Sequence, residues 1–103
     1  MALDEQLSAE CANWIAEQLN EELGGFVPAE LIDMVMEHEA AVRTEQNDPE
    51  MDHGDMSRRL IPRLEQEGVP ISAEGVTREL VEEILRWEDE FLGIAGRSRT
   101  VRP

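Results

Sequence analysis

Apolar residues recur along this chain with a helical period. Leu3, Leu7, Cys11, Ile15, Leu19 and Leu23 fall four residues apart. At about 100° per residue that stripe drifts slowly around the axis. Ala12, Trp14 and Ala16 widen it to roughly half the circumference. The pattern predicts a first helix from about Asp4 to Leu23, stopped by Gly24-Gly25. Pro28 opens a second helix at a position where its missing N–H costs nothing. Glu30 and Asp33 lie in the early turns, where the helix dipole favours negative charge. Leu31, Met34, Val35, His38, Ala41 and Val42 form the expected apolar face of this helix, which runs to about Glu45.

Asn47-Asp48-Pro49-Glu50-Met51-Asp52-His53-Gly54 has the composition of a loop. Asp55 or Ser57 then caps a short third segment, about Met56 to Gln66. Pro62 inside it removes a hydrogen bond to Arg58, so a kinked helix or two short pieces are expected. Gly68-Val69-Pro70 closes that segment. Ser72 is the expected N-cap of a last helix, about Ala73 to Ala95, with Glu74 in its first turn. Val76, Leu80, Ile84, Trp87, Phe91 and Ile94 form one stripe, and Val81, Leu85 and Leu92 a second beside it. Two stripes cover more than one neighbour would, which puts this helix at the centre. Gly93 and Gly96 mark its end. No β-branched run alternates with period two. The expected fold is all-α: a compact bundle of four to five helices with a long central C-terminal helix. Residues 1–96 form one acidic domain and residues 97–103 a short basic tail.

Composition sharpens this picture. The 103 residues suit one domain, and a hydrophobic fraction of 41% suffices for a core. The four aromatics are Trp14, Phe26, Trp87 and Phe91. A core this lean leaves room for a second copy to supply further burial. Cys11 is the single cysteine, so no internal disulfide exists, and its apolar neighbours suggest a buried, inert thiol. The N-terminal Met-Ala-Leu-Asp-Glu has neither a basic n-region nor an apolar h-region. No stretch approaches the roughly 18 apolar residues of a membrane span. A cytoplasmic location is expected.

Charge is distributed unevenly. Residues 1–90 hold all 24 Asp and Glu and six of the nine Arg, a balance of −18. Residues 91–103 hold three Arg and no acid. The formal net charge of −15 disfavours direct binding to nucleic acid and to anionic membranes. It suits a basic protein partner or a cation.

Four features could carry chemistry. The first is the loop, where Asp48, Glu50, Asp52 and His53, with Asp55 beyond them, are candidate metal ligands. Asp48-x-Glu50-x-Asp52 matches the alternation of a calcium loop. The match then fails, because His53 stands where the turn glycine belongs and Arg59 where the closing acid belongs. A solvated turn explains the loop as well. The second is Glu88, which falls inside the broad apolar arc of the last helix, while His38 lies on the apolar face of the second. A carboxylate buried alone is very costly, so Glu88 needs a partner, with His38, Arg43, Arg58, Arg59 and Arg63 as candidates. The expected outcome is a structural ion pair; the alternative is a His–carboxylate pair for acid–base work.

The third feature is Arg58, Arg59 and Arg63, which would suggest a helix-turn-helix if the following helix were not so acidic. They are expected to face acids of neighbouring helices instead. The fourth is the tail, where Arg97, Arg99 and Arg102 suit an acidic surface, including that of a second copy; a frayed terminus is the plain alternative. The pairs Glu30/Asp33 and Glu79/Glu82 place carboxylates on one helical face, as helical metal-dependent hydrolases do. No Gly-rich phosphate loop, nucleophile elbow or zinc spacing appears, so no cofactor is expected.

These features point to a small non-enzymatic interaction module or accessory subunit, whose partner is another protein or a second copy of itself. Two alternatives come from other classes. One is a nucleic-acid mimic that blocks a DNA- or RNA-binding protein. The other is a metal-dependent hydrolase using helical carboxylates.

Overall fold

A computed structural model describes residues 5–24, 27–72 and 76–102. Four helices form: α1 (Glu5–Leu23), α2 (Ala29–Gln46), α3 (His53–Gln66) and α4 (Arg78–Ile94). They pack as a closed ring in which α1 touches α2 and α4, and α3 touches the same two. Helices that follow one another in the chain are packed side by side, as in up-and-down bundles. The Cα radius of gyration, 12.8 Å, is that of a compact domain of this length. No strand occurs among the described residues; Ile71 and Val76 make one isolated parallel bridge. No helix among them is long and apolar enough to cross a membrane.

The core is aliphatic. Ile15 and Leu19 of α1, Ile32 and Val35 of α2, Met56, Leu60 and Leu64 of α3, and Val81, Ile84 and Leu85 of α4 are fully buried. Met51 reaches in from the loop before α3. Trp14, Trp87 and Phe91 lie at the edge of this core. Trp14 meets Trp87 edge-on, with centroids 5.5 Å apart and planes at 74°.

Several expectations need correction. The α2 face is turned by one residue, about 100°. Its buried side chains are Ile32, Val35, Met36, Glu39 and Val42, while Leu31, Met34, His38 and Ala41 are only half-buried. Leu23 and Ile94, placed on apolar stripes, are exposed at helix ends. Helix α3 is one continuous element that begins earlier, at His53; its N-cap is Asp52, whose side chain accepts from the Asp55 N–H. Asp55 and Ser57 lie inside it, and Ser57 donates to the Gly54 carbonyl. Pro62 sits on its exposed side, where one missing hydrogen bond is tolerated.

Helix α4 starts at Arg78, not Ala73. Its cap is Thr77, whose hydroxyl accepts from the Leu80 N–H at 3.1 Å. Ser72 instead donates its backbone N–H to Val76. At 17 residues α4 is shorter than α1, with 19, and α2, with 18. Like every other helix it has two main neighbours, so the structure does not show a long central C-terminal helix. The expectations involving Leu3, Phe26, Glu74 and the first residue of the predicted first helix, Asp4, lie outside the described residues.

The end of α4 sets the course of the C-terminal segment. Gly96 takes φ +74°, and the Arg97 N–H donates back to the Leu92 carbonyl at 2.7 Å. This left-handed closure suits glycine, which lacks a Cβ. It reverses the chain so that residues 97–102 run back over the bundle instead of away from it.

Candidate functional site

Two glutamates occupy core positions. In α4 the inward stripe is Val81, Ile84, Leu85, Glu88 and Leu92; in α2 it is Ile32, Val35, Met36, Glu39 and Val42. Helical spacing therefore aims both carboxylates into the ring. Glu39 is 2% exposed and Glu88 5%. Helices α2 and α4 lie on opposite corners of the ring, and these two side chains meet between them.

Burying two carboxylates together is unfavourable unless cations and hydrogen bonds compensate. The compensation comes from two arginines. Arg43, one turn beyond Glu39, donates Nη2 to Glu39 Oε2 at 2.8 Å and Nη1 to the Pro49 carbonyl at 2.9 Å. Arg99, beyond the Gly96 turn, donates Nη2 to Glu88 Oε1 at 2.8 Å and lies 3.0 Å from Glu39 Oε2. Its Nε donates to Asp89 Oδ1 at 2.8 Å. One guanidinium thus serves three carboxylates, two through Nη2 and one through Nε, a spread that the planar fork of Arg suits. His53, at the N-terminus of α3, places Nε2 2.8 Å from Asp89 Oδ2, at an angle poor for a hydrogen bond.

The electrostatics reflect this packing. Burial pushes the Glu88 carboxyl well above its ordinary range, and the hydrogen-bonded neighbour Glu39 pushes it further; Arg99 opposes both. Asp89 is also partly buried, but His53 and Arg99 outweigh that and hold it below its usual value. Burial works against the Arg99 charge, yet Glu39, Glu88 and Asp89 outweigh it and raise its pKa. Cys11 is buried nearby, where burial, then Glu88 and Glu39, push its thiol up to about 12. That thiol is neutral at physiological pH and a poor nucleophile.

A second arginine extends the docking. Arg102 pairs with Asp48 through both nitrogens, at 2.8 and 2.5 Å, and its backbone N–H donates to the Glu50 carbonyl at 3.0 Å. Three of the expected metal candidates are engaged elsewhere, Asp48 by Arg102, Asp52 as a helix cap and His53 by Asp89, while Glu50 is exposed. Among the described residues no three His, Cys, Asp or Glu side chains gather to hold a metal ion.

The tail residues divide. Arg99 and Arg102 dock, whereas the Arg97 side chain is exposed. Glu88 takes none of its expected partners directly. His38 faces the α2–α3 side, where its Nδ1 accepts from Arg63 Nε at 3.0 Å and its Nε2 lies 3.5 Å from Glu67. Arg63 also reaches Glu45 on α2, at 3.1 Å, as expected of it. Arg58 and Arg59 pair instead with Asp55 of their own helix. Glu39 was missed by sequence reasoning. Its signal is the spacing of Ile32, Val35, Met36 and Val42 around it, visible once the face is centred on Ile32 and Met36.

Outside this cluster lies a strongly acidic stretch, with Arg63 of α3 beside its Glu30, Asp33 and Glu37 end. Glu5, Glu10, Glu17, Glu21, Glu22, Glu30, Asp33 and Glu37 are all exposed, and no Arg or Lys occurs before Arg43. The Asp33 carboxyl is raised by partial burial and then by Glu37 and Glu30 beside it, so the crowding is felt electrostatically.

No protein-family model matches the chain, and neither a curated protein nor a solved structure matches it.

Proposed function

We propose that this protein is a non-enzymatic interaction module or accessory subunit, acting in the cytoplasm, that presents the outer faces of α1 and α2 to a basic protein surface. The observation that carries this reading is the run of eight exposed carboxylates from Glu5 to Glu37 with no Lys or Arg among them. Soluble surfaces ordinarily intersperse both signs. A single-sign surface raises the encounter rate with an oppositely charged partner and repels wrong ones.

One observation also favours the nucleic-acid-mimic form of this reading. Glu10, Glu17 and Glu21 fall seven and four residues apart on the exposed side of α1. At 1.5 Å per residue they form a row with gaps of about 10 and 6 Å. The basic partner would then be a DNA- or RNA-binding protein, and nucleic acid would compete for it. The hydrolase reading has less support. Glu30/Asp33 and Glu79/Glu82 sit on α2 and α4, opposite corners of the ring, and Glu82 lies 3.9 Å from Arg78.

The test is affinity capture from the protein's own cells at low salt, comparing wild type with Glu10→Gln/Glu17→Gln/Glu21→Gln. A partner held by wild type, released by salt and lost from the triple variant is expected. Identical capture by both proteins, or a native mass showing only a homodimer, would overturn the reading.

A further inference from the structure

We propose that the slot formed by Glu39, Glu88 and Asp89, with Asp48 beside it, is a recognition site for a basic peptide bearing two arginines three residues apart. Residues 97–102 occupy it in cis. This site is separate from the α1–α2 faces.

The slot is built, not incidental. Its two central carboxylates sit on the core stripes of two helices and are more than nine-tenths buried. A guanidinium is seated in it, with Nη2 between Glu39 and Glu88 and Nε on Asp89. Three residues further on, about 10 Å in extended chain, the second arginine meets Asp48. The Arg102 N–H also donates to the Glu50 carbonyl, so the backbone is recognised as well. Arginine, with its planar fork, fits both positions.

The resident segment is also exchangeable. Ala95 and Gly96, which connect it to α4, are exposed, as are Arg97 and Ser98 at its start. Thr100 and Arg102 are exposed and Val101 is half-buried, so little apolar burial holds the segment down. Its docking rests on the charges of Arg99 and Arg102, which a second peptide can reproduce. With the segment displaced, Arg43 still pairs with Glu39. A tethered ligand competes at an effective concentration in the millimolar range, so the free peptide must reach that range.

The test uses the full chain, isotopically labelled for NMR, and an unlabelled synthetic peptide of residues 97–103. Saturable movement of the residue 97–102 signals to free-chain positions, with the helix signals held, is expected. A peptide with Gln at the positions of Arg99 and Arg102 should need at least ~tenfold more. Arg102→Gln in the full chain, which loosens only an exposed pair, should lower the half-displacement concentration several-fold. No displacement from either chain well above millimolar peptide would overturn the proposal, as would equal displacement by the Gln peptide. Glu10→Gln/Glu17→Gln/Glu21→Gln should leave the displacement curve unchanged, which separates this site from the α1–α2 faces; a loss of displacement in that variant would overturn it.

Discussion

From Glu5 to Glu37 the chain exposes eight carboxylates and no Arg or Lys; from Arg43 to Arg102 it carries all nine Arg. In the second region most of the Arg are paired with acids. Arg58 and Arg59 meet Asp55, Arg63 meets Glu45, Arg86 meets Glu83, and Arg102 meets Asp48. Arg43 and Arg99 enclose Glu39 and Glu88. In the first region nothing comparable exists among the described residues. The net charge of −15 is thus a poor description of either part. One part uses carboxylates to hold a segment down, and the other leaves them open to solvent. Stability and binding should therefore be separable by mutation.

The largest effect is expected at the buried pair. Glu88→Ala strips Arg99 of one partner and opens a cavity, and should cost about 3 kcal/mol in urea unfolding. Glu10→Gln/Glu17→Gln/Glu21→Gln, three changes in the other region, should leave the urea midpoint unchanged or raise it by relieving repulsion. A Glu88→Ala chain as stable as wild type would erase the distinction between the two regions.

A smaller effect separates charge from packing at the same position. Glu88→Gln keeps the volume and an acceptor, and should cost clearly less than Glu88→Ala. Its pH dependence has a definite sign. The folded chain binds the Glu88 proton more tightly than the unfolded chain, whose Glu titrates near 4.3. That contribution is full below about 4.3 and is lost as pH rises through the raised folded value. Wild type should therefore lose stability relative to Glu88→Gln as pH rises above about 5. The charged groups that set this are Glu39 on α2 and Arg99 in the segment after α4; Arg43 pairs with Glu39, and Asp89 with Arg99. Asp89 has the opposite sign: its lowered value contributes stability above about 3.9 that is lost on acidification. A flat difference between wild type and Glu88→Gln over pH 5–8 would show that Glu88 is not raised.

The smallest effect is expected at two uncharged side chains just before α4. Thr77→Ala removes the acceptor for the Leu80 N–H and should cost about 1 kcal/mol. Ser72→Ala should cost much less, since Ser72 bonds Val76 through its backbone N–H, which the substitution keeps. Equal losses from the two would restore Ser72 as a cap.

Much of the fold was legible because helices announce themselves by period and by their ends. Gly24-Gly25, Pro28, Gly68 and Gly96 bracket the elements, and Ile15, Leu19, Ile84 and Leu85 lie where the stripes put them. The apolar arc on α4 marks Glu88 as anomalous from the residue pattern alone. Its partner was not legible. Arg99 reaches Glu88 only because the Gly96 turn reverses the chain, a tertiary consequence that no local spacing encodes. Glu39 was hidden by a face centred one residue away, where His38 took its place. The distinction between Thr77 and Ser72 as caps was also invisible, since both residue types cap helices well.

The most direct measurement is a double-mutant cycle between Glu88→Gln and Arg99→Gln, read by urea unfolding at neutral pH. If the Arg99 guanidinium is seated on Glu88 and Glu39, the two changes should couple by about 1 kcal/mol or more. Additivity within about 0.3 kcal/mol would mean that the segment after α4 does not dock in the slot.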